Sequence, residues 1–216
     1  MSPRRTLRSL VGQKNGLVVP GAYDGVSVRL VERAGFPAVY MTGFGTSASR
    51  LGLPDLGYAG LAEMADHARN LAAAVGIPLI ADADTGYGNA LGVRRTVQAY
   101  EAAARAGADV LFVEAPRDEA QVEQIARAFD VPLLYNYAAG GRSPLLPFAR
   151  LRALGYAIVI LPVDTLLVAT QAMATFLAEL RGKDDARTST PAMAFAEFNT
   201  LIGATDQMVL ADRYRD

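Results

Sequence analysis

Pro78-Leu79-Ile80-Ala81-Asp82-Ala83-Asp84-Thr85-Gly86-Tyr87-Gly88-Asn89 is an apolar run that passes directly into two carboxylates and a glycine-rich turn. A short apolar run bounded by turn residues reads as a strand. Side chains alternate along a strand, so Asp82 and Asp84 point the same way. They stand at the carboxyl end of that strand, where ligands bind in parallel α/β folds. Two like charges so close together cost energy unless a cation or a shared proton neutralises them. With only oxygen donors on offer, Mg2+ or Mn2+ is the natural cation. The competing reading is that the two aspartates cap the next helix.

Residues 61–74 before this run and 92–106 after it place apolar side chains at three- and four-residue intervals, as crossover helices on a sheet do. The same alternation recurs along the chain. Six β-rich apolar runs, at residues 16–20, 38–42, 78–82, 109–114, 132–136 and 157–162, are separated by helical stretches, which is the signature of stacked βα units on a parallel sheet. Residues 162–181 read as a long helix, 182–190 as a polar linker and 191–214 as a helical appendage. The expected division is a βα domain over 1–181 and a linker with C-terminal helices over 182–216, the latter suited to contact with another subunit.

Composition removes several function classes. The 216 residues suit a single sizeable core. With 21 basic and 22 acidic side chains there is no polybasic surface for nucleic acid. Cysteine is absent, so disulfides, thiolate metal sites and cysteine nucleophiles drop out. No run approaches the roughly 20 apolar residues of a membrane span, and no signal-peptide core follows the arginines at 4, 5 and 8. The expectation is a soluble, cytoplasmic protein with no membrane partner.

A second stretch, Val39-Tyr40-Met41-Thr42-Gly43-Phe44-Gly45-Thr46-Ser47-Ala48-Ser49 followed by Leu51-Gly52-Leu53-Pro54-Asp55, sets glycines beside hydroxyl residues after a strand. Such a turn can bring backbone N–H groups close to an anion, although Gly/Ser-rich turns are also common structural elements.

Pro20-Gly21-Ala22-Tyr23-Asp24, Thr42-Gly43, Gly52-Leu53-Pro54-Asp55 and the 82–88 run together resemble the isocitrate lyase / phosphoenolpyruvate mutase superfamily. So do Phe112-Val113-Glu114-Ala115-Pro116, Asn136 with Gly140-Gly141-Arg142-Ser143-Pro144, and residues 154–160. The resemblance is strongest to small bacterial members similar to oxaloacetate decarboxylase and carboxyphosphonoenolpyruvate mutase. It implies an α/β, TIM-barrel-like scaffold and a Mg2+ (or Mn2+) cofactor. It further implies Asp84 as direct metal ligand, Asp82 as a carboxylate acting on the metal through water, and Asp55 as an acidic group near the reacting centre. Tyr40, Thr42, Gly43 and Phe44 match positions that bind the α-keto acid, while Glu114 and Asn136 match pocket-lining positions. Glu114 could equally pair with Arg117, and Asn136 could cap its strand end.

The family's His-Ile-Glu-Asp type strand end, its Lys-Lys-Cys-Gly-His loop and its Ala-Arg-Thr-Asp strand end do not occur in this chain. Residues 100–109 run from what resembles the third helix straight into what resembles the sixth strand. The scaffold is therefore expected to hold about six strands, two βα units short of eight. The single histidine, His67, reads as a solvated or capping residue of a helix, and Lys14 and Lys183 lie in turns. Two functions follow as expectations. One is a magnesium-dependent lyase or decarboxylase acting on a small α-keto dicarboxylate such as oxaloacetate. The other is a catalytically impaired remnant that keeps a metal and anion pocket or an oligomer interface. A homo-oligomer, formed through the C-terminal helices or an exposed sheet edge, is expected in either case.

Overall fold

Short runs rich in valine, isoleucine and leucine form the strands of one parallel sheet, as the alternation of apolar runs and amphipathic stretches predicts. The structure is a computed structural model and describes residues 3–83, 110–113, 115–129, 132–182, 189–204 and 207. In chain order the elements are α1 (Pro3–Gly12), β1 (Leu17–Ala22), α2 (Gly25–Arg33), β2 (Val39–Met41), α3 (Gly43–Leu51), α4 (Leu61–Ala74) and β3 (Leu79–Ala81). There follow β4 (Leu111–Phe112), α5 (Glu119–Ala128), β5 (Leu133–Asn136), α6 (Phe148–Ala153), β6 (Tyr156–Leu161), α7 (Asp164–Arg181) and α8 (Phe195–Leu201). The six strands coincide with the six apolar runs. The expected helix 92–106, together with Asp84 and Glu114, lies outside the described residues.

The strand order is β3-β2-β1-β6-β5-β4 and every pairing is parallel. This is the circular order of a βα-barrel, in which each strand pairs with its neighbour in sequence and the first pairs with the last. The first–last pairing aligns Leu17 to Pro20 with Ile158 to Leu161. Among the described residues, the order breaks between β3 and β4, the point at which two βα units were expected to be missing.

Alternate side chains sort into layers. On one face of the sheet, Val19, Ala38, Ile158 and Ile160 pack with Tyr40, Ile80 and Leu134, and Leu7 and Val11 of α1 join them. On the other face, α2 and α4 cover β2 and β3 through Val28, Val31, Val39, Met41, Met64, Ala68 and Leu71. Farther along that face, Val122 of α5 and Leu151 of α6 cover Leu133, Tyr135, Tyr156 and Val159. Arg150 of α6 joins the two helices at their surface by ion pairs to Glu119 and Glu123 of α5.

Two local expectations are corrected. Residues 42–49, read as a Gly/Ser turn, form most of α3, because Thr42 adopts an extended conformation and accepts the Gly45 N–H at 3.1 Å. A side-chain cap of this kind satisfies one of the donors a helix start leaves unpaired. His67 is buried rather than solvated, at 8% exposure. It occupies the same stripe of α4 as Met64, Ala68 and Leu71, the i, i+3, i+4 and i+7 positions that face the sheet.

The chain divides into two compact units, Met1–Thr165 and Leu166–Asp216. The first contains the sheet. Its two halves meet where Gly21, near the end of β1, lies against β6: a methyl group there would be 2.3 Å from the Pro162 carbonyl oxygen and 2.8 Å from that of Leu161. Both obstacles are backbone, so relief requires the two strands to separate. Gly21→Ala is expected to cost about 1–3 kcal/mol, read as a lowered denaturant midpoint with an unchanged m-value.

Candidate active site at the carboxyl ends of the strands

The inward face of the sheet continues beyond the strands into polar residues. Thr42 lies two positions after Tyr40, Asp82 two after Ile80 and Asn136 two after Leu134, so each falls on the face its apolar predecessor occupies. The strand ends are tied to one another. Thr42 donates its N–H to the Ala22 carbonyl and Asp82 donates its own to the Met41 carbonyl, both at 3.1 Å.

Asp82 is also held by its side chain. The Gly43 N–H, in the first turn of α3, donates to Asp82 Oδ2 at 3.0 Å. The positive end of a helix favours a carboxylate at this position. Asp55 approaches the same point. A methyl group on Gly43 would lie 2.7 Å from Asp82 Oδ2 and 3.5 Å from Asp55 Oδ2. The two oxygens are thus about 6 Å apart at most, with a glycine backbone between them. Asp55 is exposed, and the Ser47 hydroxyl, one turn further along α3, donates to its Oδ1 at 3.3 Å.

Thr42 is buried, with its side chain spent on the Gly45 cap, and its carbonyl accepts from the Thr46 hydroxyl at 2.6 Å. Tyr40 is half-buried within the inward apolar cluster. Phe44 is exposed. Asn136 Oδ1 is buried without a hydrogen-bond partner, and so is Asp164 Oδ2, just after β6. An unmet buried acceptor costs about 1–3 kcal/mol, so Asn136 is a group waiting for a donor. The structure brings Asp55, Asp82 and Gly43 together and sets Asn136 on the same inward face. Asp84 and Glu114 lie outside the described residues.

Two residues of this neighbourhood carry no assignment from the sequence. Ser47 stands four residues after Gly43, a spacing that puts both on one side of a helix, but that signal exists only once residues 43–51 are recognised as helical. Asp164 has the form of an ordinary first-turn acid. Among the described residues, no three His, Cys, Asp or Glu side chains group to hold a metal ion, and no helix is long and apolar enough to cross a membrane.

The sequence profile of the phosphoenolpyruvate phosphomutase family matches this chain over residues 7–104 and again over 90–181. The 2,3-dimethylmalate lyase of Eubacterium barkeri is 33% identical over 274 aligned positions, covering 94% of this chain and 95% of the relative. As 94% of 216 residues is about 203, some seventy of those positions have no counterpart here. The oxaloacetate decarboxylase of Bradyrhizobium diazoefficiens is 37% identical over 148 positions, 67% of this chain and 51% of that protein. Among solved structures, oxaloacetate acetylhydrolase in complex with the product oxalate superposes with a TM-score of 0.86 at 30% identity, over 98% of this chain and 97% of that one. The two profile matches overlap on residues 90–104, so one stretch of this chain corresponds to two places in the family. A chain shortened relative to the family, with its two matched parts joined near residues 90–104, accounts for both the overlap and the seventy positions.

The Gly43 contact yields a direct test of the site. Gly43→Ala drives a methyl group against Asp82 Oδ2 and removes the carboxylate from its N–H donor. The variant is expected to lose about 1–3 kcal/mol of stability, the usual cost of forcing an extra methyl group into a packed position, read as a lowered denaturant midpoint.

Proposed function

Because the chain belongs to the phosphoenolpyruvate phosphomutase family of the isocitrate lyase superfamily, we propose that it is a magnesium-dependent lyase or decarboxylase acting on a small α-keto dicarboxylate such as oxaloacetate. The observation that carries this reading is the convergence of Asp82 and Asp55 on Gly43 at the start of α3. Two carboxylates backed by a helix N-terminus, with no Cβ between them, leave room for a cation and the oxygens it binds. The donor set fits Mg2+, or Mn2+ in its place: Asp82 and Asp84 are the residues that would hold it. Bound there, the ion supplies positive charge for the keto and carboxylate oxygens of the substrate.

The chain's own residues account for the rest. Gly43 fixes the Asp82 carboxylate from behind. Thr42 closes the first turn of α3, and with the exposed Phe44 beside it borders the anionic end of the substrate. Tyr40 and Asn136 line the inward face, where the unpartnered Asn136 Oδ1 accepts a hydrogen bond from water bound beside the substrate. Glu114, after β4, is the further pocket position. Asp55, exposed and accepting a hydrogen bond from Ser47, relays a proton between solvent and the reacting carbon in this reading. Decarboxylation suits this reduced set. The carboxylate leaves as CO2, its bonding electrons pass into the enolate, and a proton is needed only afterwards.

A second reading is favoured by the seventy unmatched positions and the doubly matched 90–104 stretch: an impaired remnant that binds metal and anion without turnover. In either case residues 1–181 form the βα domain and 182–216 serve contact with a second copy. In support of that contact, Met193 is 42% exposed and Phe195 of α8 is 80% exposed. A cytoplasmic location completes the proposal.

Pyruvate release from oxaloacetate, followed with a coupled dehydrogenase, separates the two readings. The parent is expected to exceed the rate of Mg2+ alone, and Asp82→Ala and Asp84→Ala are each expected to fall by at least about a hundredfold. Equal rates for the parent, Asp84→Ala and Mg2+ alone would sink the enzyme reading.

A further inference from the structure

The single histidine of the chain is buried in α4, well away from the two carboxylates in sequence, and its Nε2 lies 3.0 Å from the Tyr23 carbonyl oxygen. A carbonyl can only accept, so Nε2 carries the proton and donates. That carbonyl is a joint between elements. The Ser49 hydroxyl of α3 lies 3.3 Å from it and 3.4 Å from the Thr46 carbonyl, sharing its one proton between them, and the peptide around Tyr23 is fixed on the other side. The N–H groups of Tyr23 and Asp24 both donate to Ser27 Oγ at 3.0 Å, and Ser27 N–H returns a bond to Asp24 Oδ1 at 2.7 Å.

Tyr23 in turn bears on the site. Its Cβ lies 2.9 Å from where a methyl group on Gly45 would stand, so the first turn of α3 rests directly on Tyr23. The Gly45 N–H closes the Thr42 cap, and Gly43 in the same turn holds Asp82. We infer that His67 is a positioning residue of this site: from α4 it locks the β1–α2 turn, and through Tyr23 the first turn of α3, into the geometry that presents Gly43 to Asp82. The inference rests on the proposed metal site for its functional consequence, though not for its structural one.

A space-filling role would need only an apolar side chain among Met64, Ala68 and Leu71. An imidazole there must stay neutral or find a second acceptor. Burial pushes its pKa below the usual value of 6.5, the bond to Tyr23 works the other way, Arg50 of α3 lowers it further, and Asp24 and Asp66 raise it. With the folded pKa depressed, the unfolded chain takes up the proton first as pH falls. The stabilisation from the neutral ring is therefore complete above about pH 6.5 and is lost as pH drops from there through the lower folded value.

The test compares His67→Gln, whose amide reaches the Nε2 position and does not titrate, with His67→Leu, which fills the volume and donates nothing. Two quantities are read in the full chain: amide hydrogen exchange over residues 42–47 and Mg2+ affinity. Relative to the parent at about pH 7.5, His67→Leu is expected to lose about tenfold in both, selectively for this segment, while His67→Gln retains both. Between about pH 7 and 5.5, the parent is expected to lose protection over 42–47, corrected for intrinsic exchange, and His67→Gln to keep it. Parent-like exchange in His67→Leu, or a loss spread evenly over the whole chain, overturns the assignment, as does unchanged Mg2+ affinity alongside lost protection. If the parent binds no Mg2+, the functional reading alone fails and the exchange comparison still decides. If His67→Leu does not fold, identical pH profiles for the parent and His67→Gln overturn it.

Discussion

Leu17 to Pro20 of β1 lie alongside Ile158 to Leu161 of β6, and this single ladder makes one sheet of two sets of three strands. Without it, β1-β2-β3 and β6-β5-β4 would each expose an apolar edge, and the shared cluster of Val19, Ile158 and Ile160 would lose one of its walls. The ladder also explains Gly21. Strand ends that converge as closely as β1 and β6 leave no room for a side chain, so a glycine stands where the β1 backbone meets the Leu161 and Pro162 carbonyls. Everything at the carboxyl end, from the Ala22 carbonyl that receives Thr42 onward, takes its position from this contact.

At that end the start of α3 meets the Asp82 carboxylate. The Gly43 N–H, anticipated as part of a cradle for a substrate anion, is given to Asp82. The favourable end of this helix start is thus matched by the protein's own carboxylate. A carboxylate held in this way has its orientation fixed by the fold rather than by solvent.

The strands were legible because each is a short apolar run between turn signals, and the parallel arrangement because such runs alternate with helical periodicity. The first–last pairing was available only through resemblance to a barrel, since no local pattern announces a contact between residues 17 and 158. Asp82 was legible from its position after an apolar strand. Its partner was not, because the Gly43 bond spans 39 residues and depends on α3 being a helix. The glycines and hydroxyls of 42–49 have low helical propensity, and the Thr42 cap with its tertiary contacts overrides that preference. His67 was misplaced for a related reason: a polar residue on a helix is usually solvated, and the Tyr23 carbonyl that pairs it appears only in three dimensions.

The β1–β6 ladder bears also on how such a chain reaches its native state. Within each set of three, strands pair with neighbours in sequence, so β1-β2-β3 and β4-β5-β6 are assembled from comparatively local contacts. The ladder between the sets joins residues about 140 positions apart, the kind of contact that closes slowly because a long loop must be ordered first. On the ribosome, the first three strands emerge and wait with one flank of β1 uncovered until the last strand is synthesised. The interval is a window in which that flank is open to another chain, and any helper that shortens it acts on yield rather than on the stability of the finished fold.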